Sequence, residues 1–137
     1  MRALATVLIL AASSTVAAAD CPSAVTDAVK KAFPDASVTK CVAEGKGFEV
    51  KLARKGAKLE VDVSAAGEIL MVEEPITIAE LPAAVTKAMA AKYPKARASK
   101  AEKQTARKEI SYEVDFVIDG THKEATFKQD GTFVEEE

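Results

Sequence analysis

Hydrophobic and polar residues alternate in two different rhythms along this chain, and the change of rhythm marks its elements. Val25, Ala28, Val29, Ala32 and Phe33 recur at the three- and four-residue spacing of one helix face. Leu81, Val85, Ala88, Met89 and Tyr93 form a second such stripe. Pro22 and Pro82 suit a first helical position, where a missing N–H costs nothing. Pro34 and Pro94 end both helices, because the residue before a proline is pushed out of helical geometry. Both stripes predict core packing rather than a binding groove. After each helix the period falls to two. Phe48, Val50 and Leu52 oppose Glu49 and Lys51, and Leu59, Val61 and Val63 oppose Lys58, Glu60 and Asp62. Further on, Tyr112, Val114, Phe116 and Ile118 oppose Glu113 and Asp115, while Ala125 and Phe127 oppose Glu124 and Thr126. Turn signals at Glu44 to Gly47, Lys55-Gly56, Ala66-Gly67, Asp119-Gly120 and Asp130-Gly131 separate these runs. Apolar-in, polar-out alternation predicts antiparallel strands with one wet face.

The pattern is written twice. Pro22, Val25, Pro34 and Lys40 meet Pro82, Val85, Pro94 and Lys100 at a constant offset of sixty; after a four-residue insertion, Phe48-Glu49-Val50 meets Tyr112-Glu113-Val114. Gly56 then meets Gly120, and Gly67 meets Gly131. The paired prolines and glycines carry this alignment, because each marks a backbone geometry rather than a common residue type. The predicted fold is α+β: two tandem helix-plus-four-strand antiparallel repeats, with both helices packed on one face of the sheet. The first repeat covers residues 20–74, residues 75–80 join the copies, and the second repeat covers residues 81–137.

The first residues stand outside this scheme. Arg2 precedes an apolar run from Ala3 to Ala12, and Ala17-Ala18-Ala19 offers a small-residue cleavage site before Asp20. That order is a secretory signal peptide, residues 1–19. Its removal takes one base and no acid, leaving the remainder more acidic than the full chain's net charge of −2. Export implies a periplasmic or secreted protein, and no later stretch approaches the ~20 apolar residues of a membrane span. In an oxidising compartment the two cysteines can pair. A helix from Pro22 to Phe33 runs about 18 Å, and an extended return to Cys41 covers about 17 Å. Cys41 therefore comes back beside Cys21, and a structural disulfide is expected. A redox-active pair is the alternative, since Cys21 starts a helix, but such pairs have the tighter C-x-x-C spacing.

Little material for catalysis is present. Lys and Arg total 19 against 21 Asp and Glu, aromatics are 5%, and there is no Trp. That balance excludes a strongly basic nucleic-acid binder, and the basic stretch Lys100, Lys103, Arg107, Lys108 lacks interleaved aromatics and reads as a solvated hairpin. His122, the one imidazole, falls on the solvent side of its strand with no positioned nucleophile. No catalytic residue, metal site or cofactor is expected. The acidic runs Glu73-Glu74 and Glu135-Glu136-Glu137 read as solvated strand ends that discourage edge pairing; they also frame an alternative role, an envelope sensor of a small ligand or cation.

Leu81-Pro82, Val85, Tyr93-Pro94, Tyr112-Glu113-Val114, Gly120 and Asp130-Gly131 together resemble the PepSY-like family. That family is grouped with the β-lactamase inhibitory proteins, which have a tandem helix-plus-four-strand architecture. The resemblance implies an exported, non-enzymatic binding module that docks on a peptidase or another envelope hydrolase through the open face of its sheet. Here that face would carry Glu49, Lys51, Glu60, Asp62, Glu113, Asp115, Glu124 and Lys128, the expected partner-binding residues. The two Tyr fall on core positions, so a contact steered by charge is expected rather than one anchored by aromatics.

Overall fold

A computed structural model describes residues 21–137, which leaves the expected signal peptide outside the described residues. Helix α1 (Ser23–Ala32) leads into strands β1 (Ser37–Glu44), β2 (Gly47–Arg54), β3 (Ala57–Ser64) and β4 (Ile69–Ile76). A 3-10 turn (Ile78–Glu80) then precedes helix α2 (Ala83–Lys92) and strands β5 (Arg97–Ala106), β6 (Glu109–Ile118), β7 (Thr121–Lys128) and β8 (Phe133–Glu136). All eight strands form one antiparallel sheet in the order of the chain. Strand β4 pairs with β5, so the sheet is continuous through its middle.

Both prolines sit one position earlier than the sequence predicts. Pro22 and Pro82 are N-caps with extended ψ, not first helical residues. Their carbonyls accept from the Thr26 and Thr86 N–H groups, each at 3.0 Å. The cost of proline is nil there as well, because a cap's own N–H takes no part in the helix. Phe33 and Tyr93 close the helices immediately before the second prolines.

Two cores lie on the helix side of the one sheet. Val25 and Val29 of α1 pack against Cys41, Val50, Leu52, Leu59, Val61 and Val63. Val85 and Met89 of α2, with Leu81 and Tyr93, pack against Tyr112, Val114, Phe116, Ala125 and Phe127. Of the first helix stripe only Ala32 is exposed. Strand β4 serves both cores: Val72 packs into the first and Ile76 into the second. Between them, on the same side of the sheet, Glu74 faces Lys103 across the β4–β5 ladder. A charged pair at that seam separates the two apolar clusters.

The helices come very close to the sheet's turns. Gly67 and Gly131 have φ of +87°, and a Cβ on either would lie 2.6 Å from the carbonyl oxygen of Ala24 or Ala84. Glycine is required at both positions for conformation and for space. The Cys21–Cys41 disulfide is present, with the two Cα atoms 5.9 Å apart, and it ties the start of α1 to edge strand β1. At the other edge Glu136 of β8 accepts hydrogen bonds from the Tyr93 hydroxyl and the Lys123 ammonium. Burial and that carboxylate together push the Tyr93 phenol up to about 12, so it stays a donor at any ordinary pH.

Candidate functional site: the open sheet face

The side of the sheet opposite the helices carries the polar half of every alternation. Its side chains line up in rows running across the strands, because each pairs directly with its neighbour in the ladder. One row passes through Lys51, Glu60, Glu73, Gln104, Ser111 and Lys128, from β2 to β7. At a strand spacing of about 4.8 Å, it is roughly 24 Å long. The eight residues expected from the sequence all belong to this face, but in two groups. Glu49, Lys51, Glu60 and Asp62 sit together on β2 and β3; Glu113, Asp115 and Glu124 sit on β6 and β7, with Lys128 at the far end of the row.

What joins the groups is a pair of strands, β4 and β5, that the sequence did not place on this face. Glu73 is not a solvated strand end. It lies in the middle of β4, between Glu60 of β3 and Gln104 of β5. The reason is the continuous sheet: β4 would be an edge in an isolated copy, but here β5 covers it. Gln104, only 8% exposed, donates through its amide nitrogen to Glu73 at 3.2 Å and to Glu113 at 2.9 Å. Its carbonyl oxygen accepts from the Ser111 hydroxyl at 3.2 Å. One buried amide thus spends both protons holding two carboxylates from β4 and β6. Continuing the period-two pattern of Tyr112 and Glu113 back through the Arg107-Lys108 turn would have placed Glu102 and Gln104 on this face.

The charges here are arranged against the usual rule for facing residues. Glu49 stands opposite Asp62, and Glu60 opposite Glu73. Glu102 stands opposite Glu113, and Asp115 opposite Glu124. Like charges directly across a ladder are destabilising. Compensation is sparse. Lys51 bonds Glu60 at 2.7 Å and approaches Glu49 at 3.4 Å, and Lys100 reaches Asp115 at 3.9 Å. Among the described residues no Lys or Arg comes within ion-pair distance of Asp62, Glu73, Glu102 or Glu113. Their carboxyls respond accordingly. Burial, then repulsion from Glu102, Glu113, Asp62 and Glu60, pushes Glu73 up to about 7. Burial first and neighbouring acids second also raise Asp62, Glu102 and Glu113. Lys51 moves upward in turn, chiefly through its bond to Glu60.

Two recesses lie at the margins of the acidic centre. At one end Ala106, Glu109, Ile110, Lys128, Asp130 and Val134 line a shallow cleft of about 450 Å³. At the other, exposed His122 shares a recess of about 270 Å³ with Asp115, Lys123, Glu124 and Glu137. The side chains around the imidazole there are carboxylates and one ammonium, with no Ser or Cys among the lining residues. Among the described residues no three His, Cys, Asp or Glu side chains converge in a metal-holding group. Both Tyr are buried in the second core. No described helix is long and apolar enough to cross a membrane.

Comparison with known proteins places this architecture. A family model described as "Putative beta-lactamase-inhibitor-like, PepSY-like" matches twice, over residues 8–71 and 54–135. Among solved structures, a DUF2874 family protein of Bacteroides uniformis superposes with a TM-score of 0.78 at 20% identity, covering 85% of this chain and 88% of the other. A "putative periplasmic" protein of Bacteroides eggerthii does so with the same score and coverage at 18% identity. A BLIP-like protein of Bacteroides fragilis gives 0.72 at 24% identity, covering 85% of each chain. These likenesses concern the fold. Comparison with curated proteins gives no match. With a model of one family matched across most of its length, the chain belongs to the PepSY-like family.

Proposed function

We propose that this chain is an exported, non-enzymatic protein-binding module of the cell envelope, and that its open sheet face seats the partner, a peptidase or another envelope hydrolase. In this reading residues 1–19 are removed on export. Residues 20–74 and 81–137 are then two copies of one helix-plus-four-strand unit. The repeated proline and glycine positions and the order of elements support the duplication. The BLIP-like and "putative periplasmic" neighbours support the compartment and the type of role.

The observation that carries the reading is the face itself. Eight strands present one uncovered surface that is mainly charged and polar, with Val42, Met71 and Val117 among its groups, while every large apolar group of the cores lies on the other side. A contiguous face held rigid by a sheet is suited to protein contact, and its charges would steer encounter and choice of partner. The test is retention of envelope proteins on the immobilised protein, disulfide intact, beside the charge-reversed variant Glu113→Lys/Asp115→Lys. Circular dichroism establishes that the variant is folded. A hydrolase held by the native face, released by the reversal, and altered in activity by the free protein is the expected outcome. Retention unchanged by the reversal would overturn the assignment of the face.

A further inference from the structure

The open face is acidic in a particular way. Its carboxylates do not converge on a point; they are spread from Glu49 on β2 to Glu135 on β8, six strand spacings or roughly 29 Å. Four like-charged pairs stand directly opposed along that path. The Gln104 amide fixes the central two, Glu73 and Glu113, instead of letting them swing apart into solvent. The free protein therefore bears an internal repulsion that a sheet surface has no structural need of, and departures of this kind from local rules gather at functional sites. Cations placed between the rows would relieve it. A single metal ion cannot, because the acids are too dispersed; an extended chain carrying several positive charges can cross strands set about 4.8 Å apart.

We propose that the face receives a lysine- and arginine-rich segment of its protein partner, seated across β3 to β6 with Glu73 and Glu113 at its centre. This rests on the docking role of the face proposed above. Charge complementarity commits the choice: the groups pointing at the centre are Glu60 and Asp62 from β3, Glu73 from β4, Glu102 and Gln104 from β5, and Glu113 from β6. Of the bases beside this centre, Lys51 is already engaged by Glu49 and Glu60, and Lys100 reaches Asp115. An acidic or apolar segment would meet unrelieved repulsion or leave half-buried carboxylates without partners.

The test is titration calorimetry with synthetic octalysine at low salt, on the protein with its disulfide intact. Two variants each lose two carboxyl groups, compared at a pH above 8 where Glu73 is ionised. Glu73→Gln/Glu113→Gln removes the central pair while keeping an oxygen for the Gln104 amide. Asp27→Asn/Asp119→Asn removes two acids off the face: Asp27 is exposed on α1, and Asp119 sits in a left-handed turn that Asn tolerates. The central pair should weaken binding by about fivefold or more, and the control pair should leave it within error. Failure of octalysine to bind the native protein, or equal weakening by both variants, overturns the proposal. The retention experiment separates the two readings. A hydrolase lost on charge reversal but held undiminished by Glu73→Gln/Glu113→Gln would uphold the docking face and refute a basic segment at its centre.

Discussion

Glu73 makes the electrostatics of the face measurable without any partner. Its carboxyl is held at about 7 in the fold against an ordinary value of 4.5. The fold therefore binds this proton more tightly than the unfolded chain does. Protonated Glu73 favours the native state fully below pH 4.5, and that contribution is lost as the pH rises through about 7. Taken whole, the difference is worth about 3 kcal/mol. The side chain is only partly buried, so solvent screens it, and about 1 kcal/mol is the expected residue. Glu73→Gln keeps the oxygen that accepts from Gln104 and never ionises. Urea unfolding of both proteins should agree near pH 4.5, and near pH 8.5 the variant should be the more stable by about 1 kcal/mol, a rise in Tm of about 4 °C. A constant gap between the two proteins over that range would refute the claim that burial and the facing acids destabilise ionised Glu73.

Two further outcomes test the fold. Gly131→Ala combines a left-handed φ with a Cβ driven against the Ala84 carbonyl, and should cost about 3 kcal/mol in a thermal melt; Gly56→Ala, at φ +81° in open space, should cost only about 1 kcal/mol. Reducing the disulfide frees a loop closed across a separation of 20 residues and should lower stability by about 3 kcal/mol on the loop-entropy account, read as a fall in denaturation midpoint; an unchanged midpoint would show the first core holding α1 to β1 unaided.

The strands that the sequence made legible are those backed by a core. Val50, Leu59, Val61, Tyr112, Val114 and Phe127 are all buried, and their alternation is plain because every second position meets a helix. Strand β5 is different. Ala101 is its one buried apolar residue, because Lys103 and Thr105 occupy the seam between the two cores, where nothing apolar is needed. Without an apolar rhythm of its own, β5 gave no local signal of which side Glu102 and Gln104 would take; only the alternation of its hairpin partner β6 carried one. Glu73 was obscured for a related reason: whether β4 is an edge or a centre depends on what pairs with it, and pairing between halves leaves no mark on local periodicity. The surface was therefore visible at its two ends and blank in its middle.

The order of the strands has a kinetic consequence. Every ladder but one joins strands that follow each other through a short turn, and the exception, β4 to β5, spans only α2. A sheet of this width usually folds slowly, because distant segments must meet before any pairing rewards the loop they close. Here each hairpin can zip onto the one before it, so the chain should reach its native state faster than sandwiches or barrels of similar length, whose pairings are mostly non-local. Nascent β4 is the point of exposure. Until α2 has formed and β5 arrives, it is an open edge, and the carboxylates of Glu73 and Glu74 are then well placed to discourage it from pairing with another chain.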